Sequence, residues 1–291
     1  MTVRSIVCLH SGYAHEMTSL NTAVSIAKDL GAHLKILHAA YVAHPTAFYF
    51  GESAALGAGW QEAVDKQMQA ELDAARQSAQ TVCAAHGLTL SEEGAGPGPQ
   101  ASFSAVMGYS ERALIRELSI CDLVVLGALK GSSSVMDGAI ANLALFATAR
   151  PVLIVRQDDG DVTPKLSGGV CAVAWNNSPE AIHALVHGRD LILAAREVHI
   201  LSSSDDVPSE PTRDQAIALN YLAAHGVTAQ LSQIAHGDKS DAEAVLAKAQ
   251  ELGCDYLVMG GYGHSMFREM LLGGFSETML EQADFPLMLC H

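Results

Sequence analysis

Glycines near the C-terminus have a spacing that suits an anion-binding loop. The stretch Val258–Thr278 reads VMGGYGHSMFREMLLGGFSET, so Gly260, two residues and Gly263 are followed after nine residues by Gly273. A glycine has no Cβ, so its backbone can approach a ligand closely. The free N–H groups at the start of a following helix point at an anion and need few basic side chains to hold it. The spacing predicts a phosphate cradle, and the alternative is a plain connection between a strand and a helix.

Other kinds of chemistry find little support. No G-x-x-x-x-G-K-[ST] loop occurs, and the glycine spacing differs from that of a dinucleotide-binding fingerprint. His183 and His187 are four residues apart on a predicted helix, but Ala184 stands where a zincin needs glutamate. The sequences GYSER and GFSET lack the second glycine of a nucleophile elbow. We therefore predict no catalytic residue and no metal site.

Charge and composition exclude several classes of partner. The 291 residues are 49% hydrophobic and 17% charged, with a net charge of −15. The 17 Lys and Arg residues are spread out, so we expect no nucleic-acid-binding surface. No run approaches the ~18 uncharged apolar residues of a membrane span, and the N-terminus lacks the core of a signal peptide. Six cysteines without a C-x-x-C pair are typical of buried, reduced thiols. We expect a cytoplasmic protein that contacts neither nucleic acid nor membrane.

Short sequences recur in the same order along the two halves of the chain. AAHGLTL returns as AAHGVTA, and CDLVVLG returns as CDYLVMGG. Self-similarity of this kind indicates a repeated structural unit. We predict two tandem domains, residues 1–156 and 170–291, joined by a polar linker at residues 157–169.

Each copy alternates strand-like with helix-like segments. Short apolar runs such as SIVCLH and GVCAVAW precede longer helical patterns, several of which end in glycine. The predicted strands of the second copy are GVCAVAW, EVHILSS, VTAQLSQ, DYLVMG and PLMLC. In the first copy LTLSEEG predicts the third strand, and FSAVMGYSERALIRELS predicts the helix after it. Alternation of this kind implies a parallel sheet covered on both faces. The predicted fold class is α/β, with five parallel strands in each of two copies.

The combined order of these motifs resembles the universal stress protein family. Gly260-x-x-Gly263, nine residues and Gly273, followed by FSETMLEQADFPLMLC, is similar to that family's closing motif. CAVAWNNSPEAIHAL is similar to its first strand and the turn before its first helix. The resemblance runs through both copies, so the chain resembles a tandem member of the family.

The resemblance implies a Rossmann-like fold of the adenine nucleotide alpha hydrolase type. It implies that the fifth strands, PVLIV and PLMLC, pair across a homodimer interface or an intramolecular pseudo-dimer. Some members bind ATP, with the base and ribose at the end of the first strand and the phosphates on the glycine loop, and Mg²⁺ is expected only with ATP. The resemblance assigns twelve ligand-binding residues to the second copy: Ala174, Trp175, Asn176, Leu201, Met259, Gly260, Tyr262, Gly263, Gly273, Gly274, Phe275 and Ser276.

The chain also departs from the family pattern. Asn176 replaces an aspartate that binds ribose, which costs about 1–2 kcal/mol, the difference between neutral and charge-assisted hydrogen bonds. Gly274 stands where a serine or threonine usually follows the last glycine. In the first copy His10 replaces the aspartate, and the glycine loop from Gly127 is two residues shorter. We expect nucleotide binding in the second copy rather than the first.

Three functions follow from these observations. The first is a non-catalytic stress-response protein whose second domain binds ATP or a related nucleotide. The second is a slow ATP hydrolase. The third is a ligand-free dimeric interaction scaffold. Nucleotide bound to the purified protein would separate the first two functions from the third.

Overall fold

One large sheet organises the molecule. The structure, a computed structural model, describes residues 3–13, 16–40, 54–92, 100–107, 111–128, 143–156, 164–205, 208–235, 237–261 and 274–291. Eleven strands within these residues form a single sheet, and helices pack on both of its faces. Of the helices in these ranges, none combines the length and apolarity that crossing a bilayer requires. The predicted α/β class is confirmed.

The first half contributes six strands. Its elements are β1 (Ser5–Leu9), α1 (Met17–Leu30), β2 (His33–Ala40), α2 (Ala54–Ala85), β3 (Leu90–Ser91), β4 (Gln100–Met107), α3 (Glu111–Ser119), β5 (Leu123–Ala128), a π-helical segment α4 (Leu143–Ala147) and β6 (Val152–Arg156). The strands are parallel and lie in the order β3-β4-β2-β1-β5-β6. Gly31 ends α1 in a left-handed conformation, with φ of 63°, as the helix-terminating glycine predicts.

The second half contributes five strands at the predicted places. Its elements are β7 (Val170–Ala174), α5 (Pro179–His187), α6 (Arg189–Ala194), β8 (Glu197–Ser204), α7 (Arg213–Ala224), β9 (Gln230–Ala235), α8 (Asp241–Glu251), β10 (Tyr256–Gly260), α9 (Gly274–Gln282) and β11 (Leu287–Cys290). They lie in the order β11-β10-β7-β8-β9, and all are parallel. Apart from the short edge strand β3, the first half has the same strand order.

The prediction of five strands was wrong for the first half. LTLSEEG forms only the two-residue β3, and the third main strand is β4, whose residues from Phe103 onward lie in the segment predicted as a helix. Ala101 and Phe103 alternate with Ser102 and Ser104 in β4, which is the period of two that a strand requires. All eight residues of β4 pair with β2, and α3 begins only at Glu111.

The two halves join edge to edge. Strand β6 pairs with β11 in antiparallel register, with Leu153 opposite Met288, and every other neighbouring pair in the sheet is parallel. The fifth strands therefore pair within the chain, as in the predicted intramolecular pseudo-dimer. Residues 157–163 of the predicted linker lie outside the described residues.

Strand residues alternate between two apolar cores. Ile6 and Cys8 face the core beneath α1, α2, α5 and α7, whereas Val7 and Leu9 face the core beneath α3, α8 and α9. All four side chains are buried. Burial on both faces explains why the strands are short continuous apolar runs rather than alternating ones.

Candidate functional site

A cavity of about 220 Å³ lies at the carboxyl ends of β7, β8 and β10. Ligands of open parallel sheets bind in this position. The helices α5, α8 and α9 all begin beside it. Its lining residues are Ala174, Trp175, Asn176, Ser178, Glu180, Ala181, Leu201, Ser203, Asp241, Val245, Met259, Gly260, Gly274, Phe275 and Ser276.

Nine of the twelve residues predicted to bind a ligand lie together around this cavity. They are Ala174, Trp175, Asn176, Leu201, Met259, Gly260, Gly274, Phe275 and Ser276. The other three, Tyr262, Gly263 and Gly273, lie outside the described residues. The structure thus brings strand ends and a helix start that are far apart in sequence to one place.

The floor of the cavity is apolar. Ala174 ends β7 opposite Leu201 of β8, and Met259 lies near the end of β10; all three are buried. In the first half the corresponding pair at the ends of β1 and β2 is Leu9 and Leu37. A leucine therefore occupies the position at which Ala174 leaves room in the second half.

The turn before α5 holds Asn176 in place. Its Oδ1 accepts the backbone N–H of Ser178 at 3.1 Å, and the Oγ of Ser178 accepts the N–H of Ala181 at 3.2 Å as the helix N-cap. Asn177 between them has a φ of 58°, which asparagine tolerates better than most residues. The side-chain oxygen of Asn176 is therefore engaged within the turn.

Two oxygens at the cavity lack hydrogen-bond partners among the described residues. They are Oε2 of Glu180 and Oγ of Ser203, and both atoms are buried. Glu180 lies in the first turn of α5, and Ser203 lies near the end of β8. A buried polar atom without a partner costs about 1–3 kcal/mol. Both atoms therefore favour a hydrogen-bonding ligand in the cavity.

Carboxylates dominate the charge around the cavity. Its described lining residues include Glu180 and Asp241 but no lysine, arginine or histidine. Both carboxylates lie in the first turns of helices, α5 and α8, where the helix dipole favours negative charge. Ser240 and Glu243 form a capping box that fixes the start of α8.

Trp175 is anchored in the core rather than free to move over a ligand. Its side chain belongs to the core on the face opposite Ala174, and only 4% of the residue is exposed. The indole Nε1–H donates to the backbone oxygen of Asp214 at 3.0 Å. Trp175, which was predicted to lie beside a base, therefore lines the edge of the cavity as a side chain held in a fixed position.

Gly260 serves the packing of α5 against the sheet. A Cβ on this residue would stand 2.6 Å from the backbone nitrogen of Ala181 and 2.8 Å from the Cβ of Glu180. Gly274 differs, because a Cβ there would meet no atom of the described residues within 4 Å. Of these two predicted glycines, only Gly274 leaves open space beside the cavity.

The first half has a different set of residues at the equivalent place. His10 follows β1 as Trp175 follows β7, and the next residues are Ser11 and Asn176. The structural counterpart of Asn176 is therefore Ser11, so the alignment of His10 with Asn176 was wrong. Asn176 and Ser11 each precede a residue with positive φ, which supports this register.

A Ser78–His10–Glu16 chain in the first half resembles a catalytic triad only superficially. Oγ of Ser78 lies 2.5 Å from Nε2 of His10, and Nδ1 of His10 lies 3.5 Å from Oε2 of Glu16. However, the Ser78 hydroxyl donates to the backbone oxygens of Ala74 and Ala75, at 2.9 and 3.0 Å. His10 is fully buried and cannot take that proton from a nucleophile. The cluster is structural.

Metal and thiol chemistry find no site in the described ranges. Groups of three or more His, Cys, Asp or Glu residues placed to hold a metal ion are absent there. All six cysteines are free and buried. Burial raises the pKa of Cys83, Cys121 and Cys254 to about 11, so these thiols stay protonated at neutral pH.

Comparison with known proteins places the second half in a family. Residues 170–291 match the model of the universal stress protein family. No curated protein matches the chain significantly.

Solved structures share the fold over the whole chain. A universal stress protein from Archaeoglobus fulgidus DSM 4304 is 17% identical with a TM-score of 0.71, and the match covers 100% of this chain and 99% of that one. A protein of unknown function from Pseudomonas aeruginosa PAO1 is 16% identical with a TM-score of 0.58, covering 99% and 92% of the two chains. The second half of the chain thus matches the universal stress protein family, and the whole chain shares the fold of the Archaeoglobus fulgidus protein.

Proposed function

We propose that the chain is a stress-response protein that binds ATP or a related adenine nucleotide in the cavity of its second half. The observation that carries the proposal is the cavity itself, which nine of the residues assigned from the family resemblance line. The proposed signal is the presence or absence of bound nucleotide.

The chemistry of the cavity suits the parts of a nucleotide. Its floor of Ala174, Leu201 and Met259 offers apolar surface to a base. Its rim carries hydroxyls, carboxylates and helix starts, which offer hydrogen bonds to a sugar. Binding pockets commonly combine a mostly apolar lining with a few placed polar groups. The start of α9 at Gly274 supplies free N–H groups for a phosphate.

The first half is proposed not to bind nucleotide. Leu9 stands in the position of Ala174, and α2 lies over the turn after β1: a Cβ on Gly12 would stand 2.7 Å from the backbone nitrogen of Ala75. The chain should therefore bind one nucleotide. With this asymmetry, the second half can respond to nucleotide while the first half supports the shared sheet.

Slow ATP hydrolysis is the second candidate. Glu180 and Asp241 both line the cavity, and carboxylate oxygens are the ligands that Mg²⁺ prefers. Hydrolysis also needs a group that orients the attacking water or accepts its proton, and in protein kinases a carboxylate accepts the proton of the attacking hydroxyl. Mg²⁺ is expected only together with ATP.

The predicted homodimer through the fifth strands is not part of the proposal. Strands β6 and β11 pair with each other within the chain, so their edges are not available to a second copy. Any dimer would use a different surface. A cytoplasmic location stays a prediction from the sequence.

Mass spectrometry of nucleotide released from the purified protein tests the proposal. We expect about one adenine nucleotide per chain, and loss of that nucleotide in Gly274→Val. The variant should fold, because within 4 Å a Cβ at Gly274 meets no atom of the part of the chain that the structure describes. Phosphate release from added ATP that Gly274→Val abolishes would favour the hydrolase. Absence of nucleotide, together with no thermal shift on adding ATP, would favour the scaffold.

A further inference from the structure

The two halves each place a glutamate at the start of their first helix. Glu16 precedes α1, and Glu180 lies in the first turn of α5. Each also lies against a glycine that follows the buried part of a strand: Gly127 in β5 and Gly260 in β10. A Cβ on Gly127 would stand 3.4 Å from the Cα of Glu16, and one on Gly260 would stand 2.8 Å from the Cβ of Glu180. The two glutamates therefore lie beside corresponding glycines, although Glu16 is the N-cap of α1 and Glu180 is the second residue of α5.

In the first half this carboxylate binds the chain itself. Oε2 of Glu16 accepts the backbone N–H of Ser11 at 2.5 Å and lies 3.5 Å from Nδ1 of His10. Both partners belong to the segment that follows β1. The position is thus suited to a carboxylate that accepts a backbone hydrogen bond from the segment after the first strand and lies close to an imidazole.

In the second half Oε2 of Glu180 lacks such a partner among the described residues. Trp175 replaces the imidazole of His10, and its ring N–H donates elsewhere, to Asp214. Oε2 of Glu180 is buried and has no hydrogen-bond partner in the described part of the chain. An unpaired buried acceptor is costly, and more so when it is charged. The cavity beside Glu180 is where a ligand could supply the missing donors.

A second unpartnered atom lies in the same cavity. Oγ of Ser203 is buried near the end of β8 without a hydrogen-bond partner among the described residues. A hydroxyl can both donate and accept. Asn176, by contrast, already uses its Oδ1 on the N–H of Ser178. Glu180 and Ser203 are therefore the residues whose buried oxygens at the cavity are left for a ligand to satisfy.

We propose that Glu180, assisted by Ser203, accepts the hydrogen bonds of the vicinal hydroxyls of the ligand's ribose and so makes the cavity selective for ribonucleotides. The inference rests on the nucleotide-binding function proposed above. Two neighbouring hydroxyls match the two oxygens of one carboxylate, and hydrogen bonds to a charged acceptor are the stronger kind. The terminal torsion of a glutamate is broad, so a small rotation turns its carboxylate towards the ligand.

Glu180 thereby supplies the negative charge that Asn176 lacks. Asparagine replaces the family's aspartate in the turn, and four residues later a glutamate reaches the same cavity from the helix. The ligand's base remains over the apolar floor. A ligand amine could also satisfy Glu180, and analogues that lack single hydroxyls distinguish the two cases.

Calorimetric titration with adenosine monophosphate and its 2′-deoxy and 3′-deoxy analogues tests the inference. We expect the wild-type chain to bind the ribonucleotide about tenfold more tightly than either analogue, as for loss of one charge-assisted hydrogen bond. Glu180→Gln should bind all three with similar affinity, and Ser203→Ala should reduce the discrimination. Glu16→Gln, which changes the counterpart in the first half, should discriminate as the wild type does.

The outcomes separate this inference from the function on which it rests. Discrimination that persists in both folded Glu180→Gln and folded Ser203→Ala would overturn the inference alone. So would wild-type protein that binds all three nucleotides equally. Failure of the wild type to bind any of them would overturn the proposed function and this inference together. Circular dichroism and thermal melting confirm that each variant is folded.

Discussion

Gly260 and Ala181 lie so close together that a methyl group on the glycine would stand 2.6 Å from the backbone nitrogen of Ala181. Gly127 has the equivalent relation to the start of α1, where a Cβ would stand 2.8 Å from Oγ of Ser19. Gly127 thus allows α1 to pack against β5, and Gly260 allows α5 to pack against β10. In the second half α9 begins at Gly274, which also lines the cavity.

The variant Gly260→Ala should be strongly destabilised. The added methyl meets backbone atoms of α5, which cannot move without shifting the helix, so the free energy of unfolding should fall by about 3 kcal/mol or more. Urea denaturation measures this. The matched control is Gly274→Ala, which should change the free energy of unfolding by less than about 0.5 kcal/mol. Equal effects of the two substitutions would show that the close packing at Gly260 is unimportant.

The variant Trp175→Phe should lose stability but keep ligand affinity. Removing the indole N–H deletes the 3.0 Å hydrogen bond to the backbone oxygen of Asp214, and a typical hydrogen bond contributes about 0.5–1.5 kcal/mol. The ring lies in the core on the face opposite the cavity floor, so the nucleotide dissociation constant should change less than about threefold. Denaturation and titration on the same preparation measure both. A large loss of affinity at unchanged stability would instead mean that the indole stacks on the base.

His38 should make the fold sensitive to acid. Burial lowers its pKa below 6.5, against smaller opposing effects of its hydrogen bond to the His10 carbonyl and of Glu71. The unfolded chain therefore binds more protons than the folded chain below about pH 6.5, so stability falls as the pH drops through that range. Urea denaturation of wild type and His38→Leu from pH 8 to pH 5 measures this. The free energy of unfolding of the wild type, taken relative to that of His38→Leu, should decrease as the pH falls. A difference between the two that stays constant with pH would contradict the prediction.

The two halves should unfold together. Antiparallel pairing of β6 with β11 makes one continuous sheet, and Leu153 and Met288 at its centre are both buried. In Trp60→Phe, fluorescence reports only Trp175 of the second half, whereas circular dichroism reports both halves. The two probes should give the same urea midpoint. Fluorescence and circular dichroism midpoints that differ would show that the halves are energetically independent.

Most of the sheet could be predicted because its strands are short apolar runs between helices. The five strands of the second half lie where the sequence places them. Strand β4 was missed because FSAVMGYSERALIRELS contains both a strand and a helix, and the strand is recognisable only by the alternation of Ser102 and Ser104 with apolar residues. Pairing with β2, a contact distant in sequence, decides its conformation.

The cavity could be predicted in part. The resemblance identified residues at strand ends and at the start of α9, but it did not identify Glu180 or Ser203. The sequence Ser178-Pro179-Glu180 does carry a signal, because a capping serine followed by proline marks a helix start. Whether Oε2 of Glu180 finds a partner depends on the tertiary arrangement around it, which no local pattern encodes. The role of Gly260 in helix packing is hidden for the same reason.

The most direct test compares nucleotide binding by the wild type and Ala174→Leu in a calorimetric titration with ATP. The substitution places in the second half the leucine that the first half has at Leu9, so the variant should fold while its side chain fills the cavity floor. We predict one nucleotide per wild-type chain and at least a tenfold weaker affinity in Ala174→Leu. Unchanged affinity in the folded variant, or no binding by the wild type, would contradict the assignment of the cavity as the nucleotide site.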